Sequence, residues 1–594
     1  MKKLLILPFM ALLALSCTEK DASTRTTAKG PNIILIMTDD QGHGDLGFYG
    51  NPDIKTPTMD SLAGISARFT QFYVSPVCAP TRSSLMTGRY SLRTGVYDTY
   101  NGGAIMAANE TTIAEVLRDN GYMTGIFGKW HLGDTYPHRP ADQGFEESLI
   151  HAAGGMGQVG DVFNFFEYDS AYFNPIVLHN NVQVKTKGYC SDVFTDGAVD
   201  FIEKNKENPF FLYLSFNAPH TPLQLPAKYQ DMYADLEIDS GRYDNGTRPF
   251  PKMDNRSVDA ARRVYGMVSN IDDNLARLFN KVNELGIRDN TLIIFMTDNG
   301  PQQLRYVSGM RGRKGTVYEG GIHVPFFISW PGKIAENKEL KVPAVHMDIF
   351  PTLLNLCGIA QPEGLDIDGQ DLTSVLNGDT PPWANRPLVF YWQRGYDGPY
   401  HNIAVRSGNY KLVGHTDAGS AVDEFELFNL ADDPGEMTNI VGNETKKATE
   451  LIGIFDDWYA NISQAENLIN FPRIVIGSPH ENPVILNRND AKGPAGIWAE
   501  DNKYLYWDVT IAEKGLYDIK FFFKENPTGP GQLTFKIGPI QRVVQHTDTT
   551  KRVMIVPDIA LHSGPAKVDG WFTNQKSPRT TVYPFYVEIK KKDP

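Results

Sequence analysis

The chain has 594 residues, with 57 Lys plus Arg against 70 Asp plus Glu, so its formal net charge is −13; 41% of it is hydrophobic and 11% aromatic. A charged fraction of 21% leaves enough apolar residues for a core, which excludes a disordered tail or a collagen, and the length implies more than one domain. Four cysteines cannot staple a protein of this size, and the acidic balance excludes a broad electrostatic footprint for nucleic acid or an anionic membrane while leaving room for a small basic pocket.

Residues 1–17, MKKLLILPFMALLALSC, place two lysines before an apolar run and small residues ahead of Cys17. This is the pattern of a secretory signal peptide; the run is shorter than the ~20 apolar residues of a membrane helix, and no later segment reaches that length. A cysteine at the cleavage point resembles a bacterial lipobox, with Cys17 lipidated as the mature N-terminus; the other reading is an ordinary cleavage site with an incidental cysteine. The expected address is therefore outside the cytoplasm, as a periplasmic protein or an outer-membrane or cell-surface lipoprotein that meets the membrane only through its lipid. The polar stretch 18–30 reads as a tether.

From residue 31 to about 380, apolar runs alternate with helical stretches, the βαβ pattern of an α/β domain with a large, mostly parallel sheet flanked by helices. NIILIMTDD (32–40) and TLIIFMTDNG (291–300) share one design, a buried strand followed by Thr and then acidic or amide residues. Between them, GYMTGIFGKWHLG (121–133) and NPFFLYLSFNAPHTP (208–222) end in loops bearing Lys and His. Ligands of such sheets bind beyond the carboxyl ends of the strands, so four strand ends are expected to converge on one site. Residues 259–285 carry apolar positions at helical spacing with their charges on a solvated face, and 343–357 predict a further helix before a Gly turn. Residues 381–465 alternate short strands and turns, closed by a helix near 444–462, as a small antiparallel subdomain. Residues 466–594 contain regularly spaced strands with Gly, Pro and Asn turns, the pattern of an appended β-sandwich.

Asp39, Asp40, Asp298 and Asn299 offer oxygen ligands only, which suits Ca²⁺, or Mg²⁺, rather than zinc. A single Asp after a strand is more often a helix cap, but two matched endings point to a metal. Between them lies SPVCAPTRSSLMTGRY (75–90), where Cys78 is followed at +2 by Pro80 and at +4 by Arg82. Taken alone, Cys78 reads as a buried thiol beside a helix start.

CAPTRSSLMTGRY, with TDDQG, GKWHLG, NAPHTP, TDNG and RGRKGTVYEGGIHVPF (311–326) in that order, resembles the formylglycine-dependent sulfatases of the alkaline-phosphatase-like fold. AVRSGNYKLV and ELFNLADDPGE resemble that family's C-terminal subdomain; the resemblance spans 31 to about 465. It implies that a maturation enzyme oxidises Cys78 to formylglycine, whose hydrate binds the metal and attacks sulfur. It also implies that Arg82, Lys129 and Lys314 balance charge on the sulfate, Arg82 also holding residue 78. His220 with Lys314 would protonate the leaving oxygen, and His131 would take the proton from the second hydroxyl.

Substrate contacts are expected, less specifically, from His151, His323, Arg394 and His401, from the Gly-rich segment 151–161 and from the aromatic stretch 391–401. The resulting expectation is a sulfatase acting on a sulfated carbohydrate or a small sulfate ester. The alternatives are a phosphoesterase of the same superfold and a glycan-binding lipoprotein without chemistry. Cys190 and Cys357 are left either to pair or to stay as buried thiols.

Overall fold

The computed structural model of the chain describes residues 30–593 apart from 239, 245 and 397; the expected signal segment, Cys17 and the tether up to residue 29 lie outside the described residues. No helix among the described residues is long and apolar enough to cross a membrane.

Four of the apolar runs form β1 (Asn32–Thr38), β2 (Met123–Lys129), β3 (Phe210–Ser215) and β4 (Thr291–Thr297). They lie side by side and parallel in the order β4, β1, β3, β2, with Ile34 between Leu212 and Ile293. Every residue of β1, β3 and β4 is buried; a parallel strand covered on both faces reads as a continuous apolar run rather than an alternating one. The sheet extends beyond β2 through the parallel strand Glu147–His151 and an antiparallel hairpin, and beyond β4 through the antiparallel strand Phe326–Ser329, to ten strands in all.

The pleat sends alternate residues of β1 into two separate cores. Ile33, Leu35 and Met37 pack on one face with α1 (Cys78–Thr87), while Ile34 and Ile36 pack on the other with α2 (Cys190–Asn205) and α3 (Asn255–Glu284). On the first face lies α4 (Ile349–Leu356), which ends before Gly358 in the left-handed region. The α3 helix begins at Asp254, whose carboxylate accepts from Ser257 N at 2.7 Å. The sequence places the charges of α3 in water; Asp272 departs from that. It is 2% exposed and accepts from the Thr58 and Met59 amides at 3.0 and 2.8 Å, satisfying the first turn of the helix Pro57–Gly64.

Strands Leu388–Tyr391, His401–Ser407, Tyr410–His415 and Glu426–Asn429 form an antiparallel sheet. Helix Thr445–Ile462 covers one of its faces; the other packs on Tyr73, Val317 and Ile322 of the large domain. Lys411, fully buried in that seam, is held between Glu319 at 2.8 Å and Glu436 at 2.9 Å. From Ile474 onward the chain builds two sheets that face one another across Trp507, Phe535 and Val568 on one side and Ile519, Phe521 and Val587 on the other. Ile105 of the large domain inserts into this same core, so the third unit is packed onto the first rather than strung behind it.

Cys190 belongs to the core on one face of the large sheet and Cys357 packs against the core on the other, and both are free thiols. The reading in which they pair is excluded because the sheet lies between them. Denatured without reductant, the protein should accept an alkylating reagent at both Cys190 and Cys357; a disulfide-linked peptide pair in the mass spectrum would contradict the two-faced core.

Candidate active site

At the carboxyl edge of the four central strands the chain places Asp39 and Asp40 after β1, Lys129 at the end of β2 with His131 beyond it, His220 after β3, and Asp298 and Asn299 after β4. Parallel order brings these ends together. Backbone bonds fix them: Asp298 N donates to Thr38 O at 3.1 Å, Asp39 N to Ala218 O at 3.2 Å, and Asp40 N to the Asp298 Oδ1 at 3.1 Å. Gly128, at φ +118, permits the close approach of β2 and β3, because a Cβ there would lie 1.8 Å from Ser215 O. Asp40 and His131 both take left-handed backbone, at φ 63 and 62, a conformation that Asp and His tolerate better than most residues and that clusters at functional sites.

Cys78 opens α1 and Arg82 sits one turn on, so the i, i+4 spacing puts both side chains on one face of the helix. Pro80 lies in the first turn, where its missing N–H removes no helical bond. Arg82 is 1% exposed. It donates to Asp298 Oδ2 through Nη2 at 2.7 Å and Nε at 3.2 Å, and through Nη1 to Ser215 Oγ at 2.6 Å and Lys129 O at 3.2 Å. Lys129 Nζ is 2.5 Å from Asp39 Oδ2, and Lys314 Nζ is 2.5 Å from Asp40 Oδ1. Burial works against ionisation of Asp40, yet Lys314 and His220 hold its carboxyl well below the usual range. Burial and the neighbouring Asp39 push Asp298 up to about 6 against the pull of Arg82 and Lys129.

Asp39 Oδ1, Asp40 Oδ2 and Asn299 Oδ1 are buried acceptors with no hydrogen-bond partner, at residues that are 0% exposed. Buried polar atoms are normally paired. Ligand atoms of Asp39, Cys78 and Asp298 lie within 4.8 Å of one another, as do those of Asp39, Asp40 and His220. Buried oxygens left without a donor in such a cluster of acids fit a hard divalent cation. The three carboxylates Asp39, Asp40 and Asp298 balance the three cations Arg82, Lys129 and Lys314, so a bound divalent ion would leave the site positive by two.

His131 Nε2 is 2.9 Å from the Thr99 carbonyl, which can only accept, so the ring proton belongs on Nε2 and the lone pair of Nδ1 faces Cys78 Sγ at 3.5 Å. Burial and the charge of Lys129 hold this ring well below the usual histidine range, so it is neutral and free to accept a proton. Burial raises the Cys78 thiol against the pull of Lys129 and Lys314. His220 donates from Nδ1 to Thr221 O at 2.8 Å and turns Nε2 toward Asp40 Oδ2, 3.8 Å away; burial and Lys314 push it down to about 3.

Cys78, His131, His220 and Lys314 open into one cleft of about 950 Å³, whereas Arg82 and Lys129 lie beneath it. Of the four weaker substrate candidates, only Arg394 lines this cleft. Its guanidinium is 3.0 Å from Asp98 and packs over the rings of Tyr100 and Trp392. His151 is 3% exposed and lines a separate cavity with Asp161, its strand having carried it past the cleft. His323 is turned back onto Glu319, four residues earlier, at 3.2 Å in the seam with the small subdomain. His401 stands exposed at the start of its strand, 2.7 Å from Asp417. The Gly-rich segment lines the cleft from Gly154 to Gly160; a Cβ on Gly154 would come within 2.6 Å of His131 Nε2.

Sequence reasoning passes over Ser215, Thr99, Arg305 and Trp498. Ser215, the last residue of β3, marks its place by ending a strand beside the His loop. Arg305, fully buried, is 2.7 Å from Asp45 and donates to the Asp40 carbonyl at 2.5 Å; nothing in its sequence context marks it.

Residues 31–359 match the family described as Sulfatase, and residues 313–453 that described as N-sulphoglucosamine sulphohydrolase, C-terminal. Arylsulfatase A of Homo sapiens is 31% identical over 480 residues, covering 73% of this chain and 87% of that protein. The ulvan-active sulfatase of Formosa agariphila is 30% identical over 448 residues, covering 72% and 81%. The crystal structure of Ps i-CgsB in complex with k-i-k-neocarrahexaose superposes with a TM-score of 0.63 at 29% identity, over 74% of this chain and 94% of that one. More than half of the chain is thus matched by one family, over the same strand ends that gather the buried acids and lysines: this protein belongs to the sulfatase family and is a sulfuric ester hydrolase.

Proposed function

We propose that the protein removes an O-sulfate from a sulfated carbohydrate, using a formylglycine made from Cys78 by a maturation enzyme and a Ca²⁺ ion, or Mg²⁺, held by Asp39, Asp40, Asp298 and Asn299. The observation that carries this reading is the set of unpartnered oxygens on Asp39, Asp40 and Asn299 beside a residue 78 that faces the lone pair of a neutral His131. As a plain thiol, Cys78 is a weak nucleophile, since burial raises it and the thiolate is the reactive form. An aldehyde hydrate at the same place offers two hydroxyls, one to attack and a second whose proton can be removed to expel the product and reform the carbonyl.

The cation, when bound, supplies positive charge for the sulfuryl oxygens and for the attacking hydroxyl. One hydroxyl of residue 78 attacks sulfur, its proton passes to the Asp298 carboxylate, whose oxygen lies within 4.8 Å of Cys78 Sγ, and the bond from sulfur to the sugar oxygen breaks. Lys314, charged and 14% exposed in its side chain, binds a sulfate oxygen at the cleft floor. His220 needs its second proton on Nε2 to act as the acid; an incoming sulfate, being anionic, favours that protonated ring and offsets the effect of Lys314. The sugar oxygen takes this proton as it leaves. His131 Nδ1 then takes the proton of the second hydroxyl, sulfate departs and the carbonyl reforms, ready for rehydration. Arg82 touches neither partner: its donors are spent on Asp298, Ser215 and Lys129 O, and it holds the acid cluster in shape.

The carbohydrate part rests on the cleft, whose volume lies near the top of the roughly 300–1,000 Å³ range of small-ligand sites and whose walls carry Tyr100, Tyr168 and Trp392. It is supported by relatives whose names include an ulvan-active sulfatase and a neocarrahexaose complex. Export, as a periplasmic protein or a lipoprotein anchored through Cys17, belongs to the same reading.

Cys78→Ala should fold with an unchanged thermal midpoint and release no sulfate from 4-nitrophenyl sulfate or a sulfated oligosaccharide; activity in this variant would show the nucleophile to be another residue. Dialysis against a chelator should abolish turnover and lower the thermal midpoint, both returning with Ca²⁺; a midpoint and rate indifferent to chelation would remove the metal from the site. Arg82→Met strands Asp298 in a dry site and should cost about 3–5 kcal/mol of stability, read from denaturant unfolding; a loss under about 1 kcal/mol would mean the carboxylate finds another partner.

A further inference from the structure

The cleft is not walled by the family-matched part of the chain alone. Asn489 and Trp498, from the appended β-sandwich, line it together with Cys78, His131 and Lys314, although the family matches end at residue 453. The segment that carries them is fastened to the loop 98–102 of the large domain. Asn489 Nδ2 donates to Thr99 O at 3.3 Å, Gly102 N to Asn489 O at 3.2 Å, and Gly493 N to Asn101 Oδ1 at 2.9 Å. Thr99 O is also the acceptor that orients His131, so the sandwich wall and the catalytic ring are referenced to one carbonyl.

Trp498 lies in the turn 495–499 and is half-buried. Among the described residues its indole makes no ring stack, cation contact or hydrogen bond. Trp392, by contrast, is covered by the Arg394 guanidinium, 4.9 Å from its centroid. A large aromatic face left unpartnered inside a cleft that ends in an anion-binding floor has the chemistry of a sugar platform: the ring presents a negative π-face to the weakly positive C–H face of a hexose, while the indole N–H remains for a hydroxyl.

We propose that the β-sandwich completes the substrate site, with Trp498 as the stacking platform for a sugar ring adjoining the sulfated one and Asn489 as the positioning residue that pins this wall to Thr99. The enzyme is then built for an oligosaccharide or polysaccharide chain, and the sandwich determines which chain it accepts. This rests on the carbohydrate reading of the site.

The test compares wild type, Trp498→Ala and Trp498→Phe on two kinds of substrate. The first is the best-cleaved member of a panel of sulfated galactan, ulvan and glycosaminoglycan hexasaccharides; the second is 4-nitrophenyl sulfate, which is too small to reach a second subsite. Trp498→Ala should raise KM for the hexasaccharide by about five- to tenfold with kcat within twofold, leave both constants for 4-nitrophenyl sulfate unchanged, and keep the thermal midpoint; Trp498→Phe should recover most of the loss. An unchanged hexasaccharide KM in Trp498→Ala, with wild type cleaving that substrate, overturns the subsite and leaves the carbohydrate reading standing. An equal rise on both substrates also overturns it, because the effect would then reach the catalytic floor. Wild type that cleaves 4-nitrophenyl sulfate but no member of the panel overturns the carbohydrate reading itself.

Discussion

Three carboxylates and three cationic side chains share one dry sheet edge, and the architecture around them follows from that. Each ion taken singly out of water costs several kcal/mol, and its partner compensates only where the geometry holds. Here each acid has its own cation: Lys129 on Asp39, Lys314 on Asp40, Arg82 on Asp298. Those pairs need a backbone that does not yield. Strands buried on both faces, the close contact permitted by Gly128, and Arg305 bound to the Asp40 carbonyl supply it. The rigid edge then leaves selected oxygens without a donor, and those oxygens are what a cation can use.

The other two units act on this edge from outside. The small antiparallel sheet seals the seam behind Lys314 through the buried Lys411 with Glu319 and Glu436, and sends Arg394 to the cleft. The β-sandwich holds the loop 98–102 whose Thr99 carbonyl sets the tautomer of His131. The groups given chemical roles therefore all belong to the large domain, while the shape of the entrance is shared among all three units.

How much of this was legible in the sequence varied with how local the cause is. The four central strands were readable because full burial writes itself as an unbroken apolar run, and the strand-end acids, lysines and histidines because parallel order forces their convergence. The i, i+4 spacing of Cys78 and Arg82 is equally local. His151, His323 and His401 were misplaced because nearness in sequence to a motif does not say which way a side chain leaves its strand or turn; the pleat carries His151 to a neighbouring cavity, and Glu319 draws His323 into a seam. Asn489 and Trp498 were not legible at all. They meet the site through bonds to the loop 98–102 and the packing of the sandwich around Ile105, contacts between segments hundreds of residues apart.

The balance of charge at the site also bears on how substrate arrives. With no divalent ion the cluster sums to zero, and the whole chain carries −13; a polyanionic glycan, the substrate proposed above, would thus cross an adverse long-range field before it met the few cations at the cleft floor. Screening acts over about 8–10 Å at ordinary ionic strength, so salt weakens the repulsion of the outer surface more than the buried pairs beneath the floor. For such a substrate, moderate salt speeds encounter, the reverse of its effect on a basic protein that steers an anion inward.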